Sequence, residues 1–301
     1  MNCGLPLGTF FPGRGIQIRA KISDGAAVPV DSCVYNSIGH PMVDRGDELN
    51  KVALTKEAYN NVSEGLSEYL KLPANWALIW PHLYGAIGDV KGKSVLELAC
   101  GQGFQSIELF DRGAKRVVAQ DLSETQIEFA KRNANNRDIT FQVNDMFRED
   151  LAADFGGEQF DVIFSIWGIG YAQNEEMMKR CMENIYKLLA PGGRALLYHE
   201  DLEIVEKSGI GAIIEVEYDP IDGKWYEGCL VNLTVMGGQL PVITQNWTYG
   251  TLDKLMREVG FANVHKDVNY VDSEGLKGFG TDQWKLITDH RCLYLCCGEK
   301  T

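Results

Sequence analysis

Between Lys93 and His199, short apolar runs alternate with amphipathic stretches, and this constrains the chain more than any other feature. SVLELAC, RVVAQD, ITFQVND, FDVIFSIW and RALLYHE read as strands, the last following Pro191-Gly192-Gly193. QSIELFDRG, SETQIEFAKRNANN and NEEMMKRCMENIYKLLA carry apolar residues at helical spacing between them. Ser123 with Gln126 three residues on is a helix N-cap signature. Strands that are apolar throughout must be covered on both faces, and intervening helices provide that cover. A further helix, TLDKLMREVGF, and two strands, ANVHKDVNYV and HRCLYLCCG, follow near the end. The pattern predicts an α/β fold with a doubly wound, mostly parallel seven-stranded sheet.

The flanks behave differently. Residues 1–50 hold no lasting period and are punctuated by turn formers, so they read as a flexible extension, with residues 51–301 as the domain proper. From Thr55 the period is helical up to Pro73. NWALIWPHLYGAIGD then places Trp76, Trp80 and Tyr84 at i, i+4 and i+8 on one helix face, as core packing or as a lid. Residues 51–92 are thus expected to form N-terminal lid helices. Residues 202–248, with EVEYDP, KWYEGCLVNLTVM, a Gly237-Gly238 turn and QLPVITQNWTY, read as an antiparallel insertion.

The formal net charge of −13 gives no general attraction to phosphate backbones or anionic lipid. No apolar run reaches the roughly 20 residues of a membrane span. Eight cysteines without a CxxC pair read as reduced thiols rather than zinc ligands or a disulfide framework, which points to a cytoplasmic setting. The first 23 residues lack acids and carry Arg14, Arg19 and Lys21, a faint organelle-targeting flavour in a Gly/Pro-rich tail.

In a sheet of this kind ligands bind beyond the carboxyl ends of the strands. Gly101-Gln102-Gly103 forms the first strand-to-helix turn there. Glu97 lies four residues earlier in an apolar strand end, Asp121 ends the second strand, and Asn144-Asp145-Met146 end the third. Asp121 is placed to take both hydroxyls of a ribose, and the last three offer a polar edge and an apolar wall for an adenine. Each acid can equally cap the helix that follows it. The third place of a dinucleotide fingerprint is Ser106, not glycine. With Glu97 beside the turn, a pyrophosphate is disfavoured and a cation is favoured, such as the ammonium and sulfonium of S-adenosylmethionine.

On ELACGQG, VVAQDLSETQIEFAK, VNDMF, FDVIFSIWGIGYA, LLAPGGRALL and LDKLMREVGFANV, the chain resembles the class I S-adenosylmethionine-dependent methyltransferases. Within them it is most similar to the toxoflavin synthase-like small-molecule enzymes, through Tyr59-Asn60-Asn61-Val62-Ser63, Leu72-Pro73, the 88–94 segment GDVKGKS and DSEGLKGFGTDQW. The resemblance covers about residues 55–299 and implies a Rossmann-like methyltransferase fold with S-adenosylmethionine as cofactor, S-adenosylhomocysteine as product and no metal. It implies that Tyr59 reaches the methionine carboxylate, while Glu97 and the Gly101 and Gly103 backbone hold the amino group. Asp121 would bind the ribose with Leu122 against the adenine. Asn144, Asp145 and Met146 would line the adenine, and Ser165, Ile166 and Tyr171 the methionine arm. Two departures, Asn60 for the usual Asp and Leu66 for a common second Tyr, point to a different acceptor.

Methyl transfer is an in-line displacement, so the protein mainly aligns the reactants and excludes water. His199, ending the fifth strand, is the candidate base, with Tyr171 as a second catalytic candidate; a structural histidine there is the plain alternative. Trp80, Trp167, Trp225 and Trp247 are candidate walls of the acceptor pocket, with His82, Tyr218 and Tyr226 nearby in the pattern. Ser165-Ile166-Trp167-Gly168 replaces the Asn/Asp-Pro-Pro-aromatic tetrad of base and glutamine amino methylation. The partner implied is a small-molecule methyl acceptor, with no nucleic acid and no membrane, and no feature fixes an oligomeric state. The rivals are a protein or RNA methyltransferase of the same fold, a nicotinamide enzyme, and a non-catalytic S-adenosylmethionine-binding module.

Overall fold

The computed structural model describes residues 48–301, apart from residue 62 and residues 236–239, together with an antiparallel pair of two-residue strands, Val34–Tyr35 and Pro41–Met42. That pair belongs to a unit of residues 1–47, and residues 48–301 form a second unit. The rest of the expected N-terminal extension and the Gly237-Gly238 turn lie outside the described residues.

In the second unit, β1 (Ser94–Leu98), β2 (Arg116–Asp121), β3 (Ile139–Val143), β4 (Phe160–Ile166) and β5 (Leu189–Glu200) form a parallel block. The insertion strands β6 (Val216–Pro220), β7 (Leu230–Val235) and β8 (Leu240–Gln245) make a separate antiparallel sheet in the order β8-β7-β6. β9 (Ala262–Asp267) and β10 (Leu293–Glu299) complete the main sheet, with β10 antiparallel to both β5 and β9. The sheet order is β9-β10-β5-β4-β1-β2-β3, so the expected seven-stranded architecture is present. All five residues of β1 are buried, as a central parallel strand requires.

The helices of the parallel block are α4 (Phe104–Asp111), α5 (Glu124–Ala134) and α6 (Glu175–Leu188), preceded by α1 (Glu48–Asn61), α2 (Ser63–Tyr69) and α3 (Trp80–Ile87). Ser123 caps α5 as predicted, its Oγ accepting from Gln126 N at 3.1 Å. In α6, Met178, Cys181, Met182, Ile185 and Leu188 are buried at helical spacing. Their burial contributes about 1.5–3 kcal/mol for each large side chain.

Three expectations change. The predicted 55–72 helix is two helices. The aromatic segment begins with a single π-helical turn, Ala74–Ile79, before α3. Trp76 is left exposed, while Trp80 stacks on Phe104 with ring centroids 6.4 Å apart and Tyr84 lies under Arg112. The three aromatics therefore do not form one face. Third, the first part of the insertion is helical: α7 (Leu202–Ser208) and α8 (Ile210–Ile214), broken by Gly209 at φ +79°. After α9 (Tyr249–Val259), DSEGLKG and TDQWKLITDH form α10 (Asp272–Gly278) and α11 (Thr281–His290).

The pleat of β5 sorts its side chains onto two faces. Leu196 and Tyr198 join the core shared with the N-terminal helices and the insertion, whereas Ala195 and Leu197 join the core under α6 and α9.

Candidate functional site

Strand order reverses between β1 and β4, and their carboxyl ends carry most of the singled-out residues. Glu97 is 2% exposed in β1, and its Oε2 accepts a hydrogen bond from Ser106 Oγ at 2.5 Å. Burial pushes its carboxyl up to about 8, with the Ser106 bonds pulling the other way. The residue in the third-glycine place is thus the partner of the buried acid.

Gly101 and Gly103 both adopt positive φ, +50° and +76°. A Cβ on Gly101 would meet open space, so a ligand can approach that backbone. A Cβ on Gly103 would lie 2.7 Å from Phe141 Cε1, so this glycine lets the start of α4 close onto β3.

Asp121 accepts from Gly101 N at 2.8 Å and from Ser123 N at 2.9 Å. Burial raises its carboxyl, opposed by the backbone donors of Ser123, Gly101 and Leu122. Its carboxylate is thereby tied to the glycine turn on one side and to the start of α5, next to Leu122, on the other.

Helix α1 docks on that same helix start. Gln126 Nε2 donates to Tyr59 O at 2.9 Å, and Asn60 Oδ1 accepts from Ser123 Oγ at 2.5 Å and Thr125 N at 3.4 Å. The amide at the departing position is therefore part of the docking contact. Tyr59 and Tyr171 hydroxyls are 2.7 Å apart, joining α1 to the 3-10 turn Gly168–Tyr171 after β4. Burial pushes Tyr59 up to about 12 and raises Tyr171 well above the ordinary tyrosine value, so both hydroxyls are neutral. From α2, Ser67 Oγ donates to Gln102 Oε1 in the glycine turn at 2.8 Å.

On the third-strand side, Asn144 donates to Asp154 Oδ2 at 2.8 Å and accepts from Asp145 N at 3.0 Å. Asp145 accepts from Phe147 N at 2.8 Å, and Met146 is buried. A Cβ on Gly168 would lie 2.5 Å from Ser165 Oγ, 2.8 Å from Ala99 Cβ and 2.9 Å from Met146 Sδ. These residues converge with Ile166 at the mouth of β4. Ser165 Oγ is buried there without a hydrogen-bond partner, a polar atom left for something else to satisfy. Ala99 and Trp167, at the ends of β1 and β4, adopt positive φ of +57° and +60°. Such non-glycine geometry costs about 1–3 kcal/mol per residue and persists where its surroundings over-determine it.

The expected acceptor residues divide. His199 is 3% exposed, and its ring lies edge-on to Tyr294 at 6.2 Å with the Trp247 backbone beside it. Burial pushes it down to about 4, leaving it neutral. Trp247 is buried and donates Nε1 to Ala172 O at 2.9 Å, anchoring the end of the insertion to the β4 loop. His82 is buried against Tyr198 and Tyr270 and lies 3.3 Å from Asp267 Oδ1. Tyr226 is exposed. Trp80, Trp167 and Trp225 pack half-buried on the core shared by the lid and the insertion, with Trp167 6.2 Å from Tyr69. Among the described residues no group of three or more His, Cys, Asp or Glu is placed to hold a metal. Glu200, bonded to the pocket candidate Tyr218, is not among the site residues the sequence pattern offers, nor are Gly168 and Ala99.

A family profile described as Methyltransferase domain matches residues 95–193, which hold the glycine turn, Asp121, Asn144–Met146 and the end of β4. These residues are a methyltransferase domain. The methyltransferase domain and its surroundings are similar in fold to an S-adenosylmethionine-dependent methyltransferase from Mesorhizobium loti, with a TM-score of 0.55, 18% identity, and coverage of 77% of this chain and 100% of that one. A Pyrococcus horikoshii protein matches with a TM-score of 0.53, 19% identity, and coverage of 81% and 95%. By sequence, the chain is 29% identical over 158 residues to a Streptomyces cypemycin N-terminal methyltransferase, covering 51% of this chain and 57% of that one. It is 28% identical over 191 residues to a Parasynechococcus marenigrum glycine/sarcosine N-methyltransferase, covering 57% and 64%. A Coxiella burnetii ubiquinone biosynthesis O-methyltransferase is 30% identical over 131 residues, covering 43% and 52%. The chain spans about half the length of these relatives. The family profile and these curated relatives are all described as methyltransferases, and the solved structures share the fold. Among the described residues no helix is long and apolar enough to cross a membrane.

Proposed function

We propose that the whole chain is a cytoplasmic S-adenosylmethionine-dependent methyltransferase whose acceptor is a small molecule, the nucleophile being nitrogen, sulfur or oxygen. The observation that carries this reading is the buried Glu97 carboxyl, held by Ser106 beside an open glycine turn that is itself tied to Asp121. The residues suit the donor: a carboxylate for a cation, a second for a ribose diol, an apolar wall at Met146, and a buried hydroxyl at Ser165 that lacks a partner. In this reading Glu97 and the Gly101 backbone hold the methionine amino group, Asp121 the ribose and Asp145 the adenine edge. Tyr59 and Tyr171 close over the methionine arm and exclude water. When bound, S-adenosylmethionine supplies a sulfonium methyl group for in-line transfer to a nucleophile.

Acidic charge, −13 overall, supports a small acceptor over nucleic acid. The names of relatives span cypemycin N-terminal, protein glutamine, glycine/sarcosine, tRNA and ubiquinone-biosynthesis enzymes, so the site itself must select. Tyr59-Asn60 and GDVKGKS support the toxoflavin synthase-like group as the finer assignment.

Calorimetric titration tests the donor reading. Saturable binding of S-adenosylmethionine and S-adenosylhomocysteine without NAD binding is the expected result; NAD alone, or neither class, would overturn it. Screening a metabolite panel with methyl-labelled donor then identifies the acceptor.

A further inference from the structure

Glu200 is the last residue of β5 and follows the pleat of Leu196 and Tyr198, onto the face shared with the lid helices and the insertion. His199 goes with Ala195 and Leu197 to the opposite face, beside Tyr294. A Cβ on Gly170 would meet His199 Cε1 at 3.1 Å and Thr244 Oγ1 at 2.9 Å, so that face is closely filled. Glu200, 7% exposed, accepts a hydrogen bond from Tyr218 Oη of β6. No Lys or Arg pairs with it among the described residues, and Lys266 is held 3.0 Å from neighbouring Asp201.

The groups around Glu200 come from every side of the acceptor region. Its charge acts on Tyr69 at the end of α2, on Tyr171 in the β4 loop, on Tyr198 in β5, on Tyr218 in β6, on Cys292 just before β10, and through the sheet on Tyr294 of the opposite face. Asp201 is the nearby like charge. The charges of both Asp121 and Glu200 act on Tyr171. Trp167 lies against both Tyr69 and Tyr198, at 6.2 and 6.4 Å between ring centroids. Trp167 Nε1 and Tyr198 Oη are buried there without hydrogen-bond partners. A buried carboxyl without a basic partner, on a sheet face that also carries aromatic side chains and orphaned polar atoms, is matched by a small cation.

We infer that Glu200 is the anionic anchor of the acceptor site and that the acceptor is a primary or secondary amine, protonated in water. This rests on the methyltransferase reading above and assigns the nucleophile as nitrogen. The bound ammonium passes one proton to a Glu200 carboxylate oxygen, giving a neutral amine and a neutral carboxylic acid with total charge unchanged. The nitrogen lone pair so released is the nucleophile. Burial pushes Glu200 up to about 7, against the pull of the Tyr218 bond, a value suited to taking that proton near neutral pH. His199, lowered to about 4 on the other face, is a poorer acceptor.

The test is a calorimetric titration of the S-adenosylhomocysteine complex with benzylamine, benzyl alcohol and benzoate, for wild type, Glu200→Gln and Tyr218→Phe. Wild type is expected to bind benzylamine about tenfold or more tighter than benzyl alcohol, with benzoate weakest. Glu200→Gln should abolish that preference while changing S-adenosylhomocysteine affinity by no more than about twofold. Tyr218→Phe keeps the carboxylate but removes the donor that favours its charged form. It should retain the preference and move the acidic limb of benzylamine binding to higher pH. Equal binding of benzylamine and benzyl alcohol, no binding of any probe, or a preference that survives Glu200→Gln would overturn the inference while leaving donor binding intact. Failure of S-adenosylhomocysteine itself to bind would instead remove the methyltransferase reading, and this inference with it.

Discussion

At the scale of single residues, Ser106 governs the state of Glu97. Its hydroxyl favours the charged carboxylate against burial, so Ser106→Ala should raise the Glu97 pKa further above about 8. A cationic donor needs the carboxylate, so its affinity at neutral pH should fall about tenfold and recover as pH rises, a loss typical of one charge-assisted hydrogen bond. Calorimetry across pH checks this; an unchanged profile would separate Ser106 from donor binding. Asp121 contributes differently, because it also holds the Gly101 and Ser123 amides in place. Asp121→Ala should weaken the donor about 100-fold, losing both ligand contacts and turn geometry. Unchanged affinity would remove Asp121 from the site. Glu97, Asp121 and the glycines stand out in the sequence because acids and glycines gather at the strand ends around one turn, although each acid there can also cap a helix. The partnership of Glu97 with Ser106 was not, since only α4 geometry brings a residue nine places on back to the strand.

At the scale of elements, α1 is held to α5 by Asn60, Gln126 and a surface pair, Lys56 to Glu124 at 2.7 Å. The exposed ion pair contributes little, typically under about 1 kcal/mol, so the buried contacts carry the docking. Asn60→Ala should release α1, seen as faster amide exchange across it while exchange in β1 stays slow. Equal protection in both proteins would mean that α1 is held elsewhere. Strands and interstrand helices were readable because their periods are set by burial on two faces. The π-helical turn at Ala74–Ile79 was not, because it changes which residues share a face without changing composition. Nor were the left-handed residues Ala99 and Trp167, where tertiary packing imposes a conformation that these residue types disfavour. Residues 202–214 do not show as helical in the sequence because Gly209 interrupts their period.

At the scale of the whole molecule, buried groups at the site couple folding to pH. Glu97 rises from its ordinary 4.5 to about 8, and Glu200 from 4.5 to about 7. Between pH 4.5 and 7 the folded protein therefore keeps protons on both groups that the unfolded chain has released. Stability changes with pH as protons bound unfolded minus protons bound folded, so these two groups lower stability as pH rises through that window. Each contributes at most about 1.4 kcal/mol per pH unit. His199 acts in the opposite sense: its value falls from 6.5 to about 4, so the unfolded chain binds the extra proton and stability drops as pH falls below 6.5. From about pH 5 to 7 the two carboxyls outweigh the one histidine, and the contribution of this set declines as pH rises. Urea unfolding of the ligand-free protein across that range should show the decline lessened or reversed in the double variant Glu97→Gln, Glu200→Gln. Saturating S-adenosylmethionine should also flatten it, because a bound cation favours ionised Glu97 and draws its pKa down toward the unfolded value. The same pH slope in wild type and double variant would show that these carboxyls ionise in the folded protein as they do in water, and the buried-acid description of the site would be wrong.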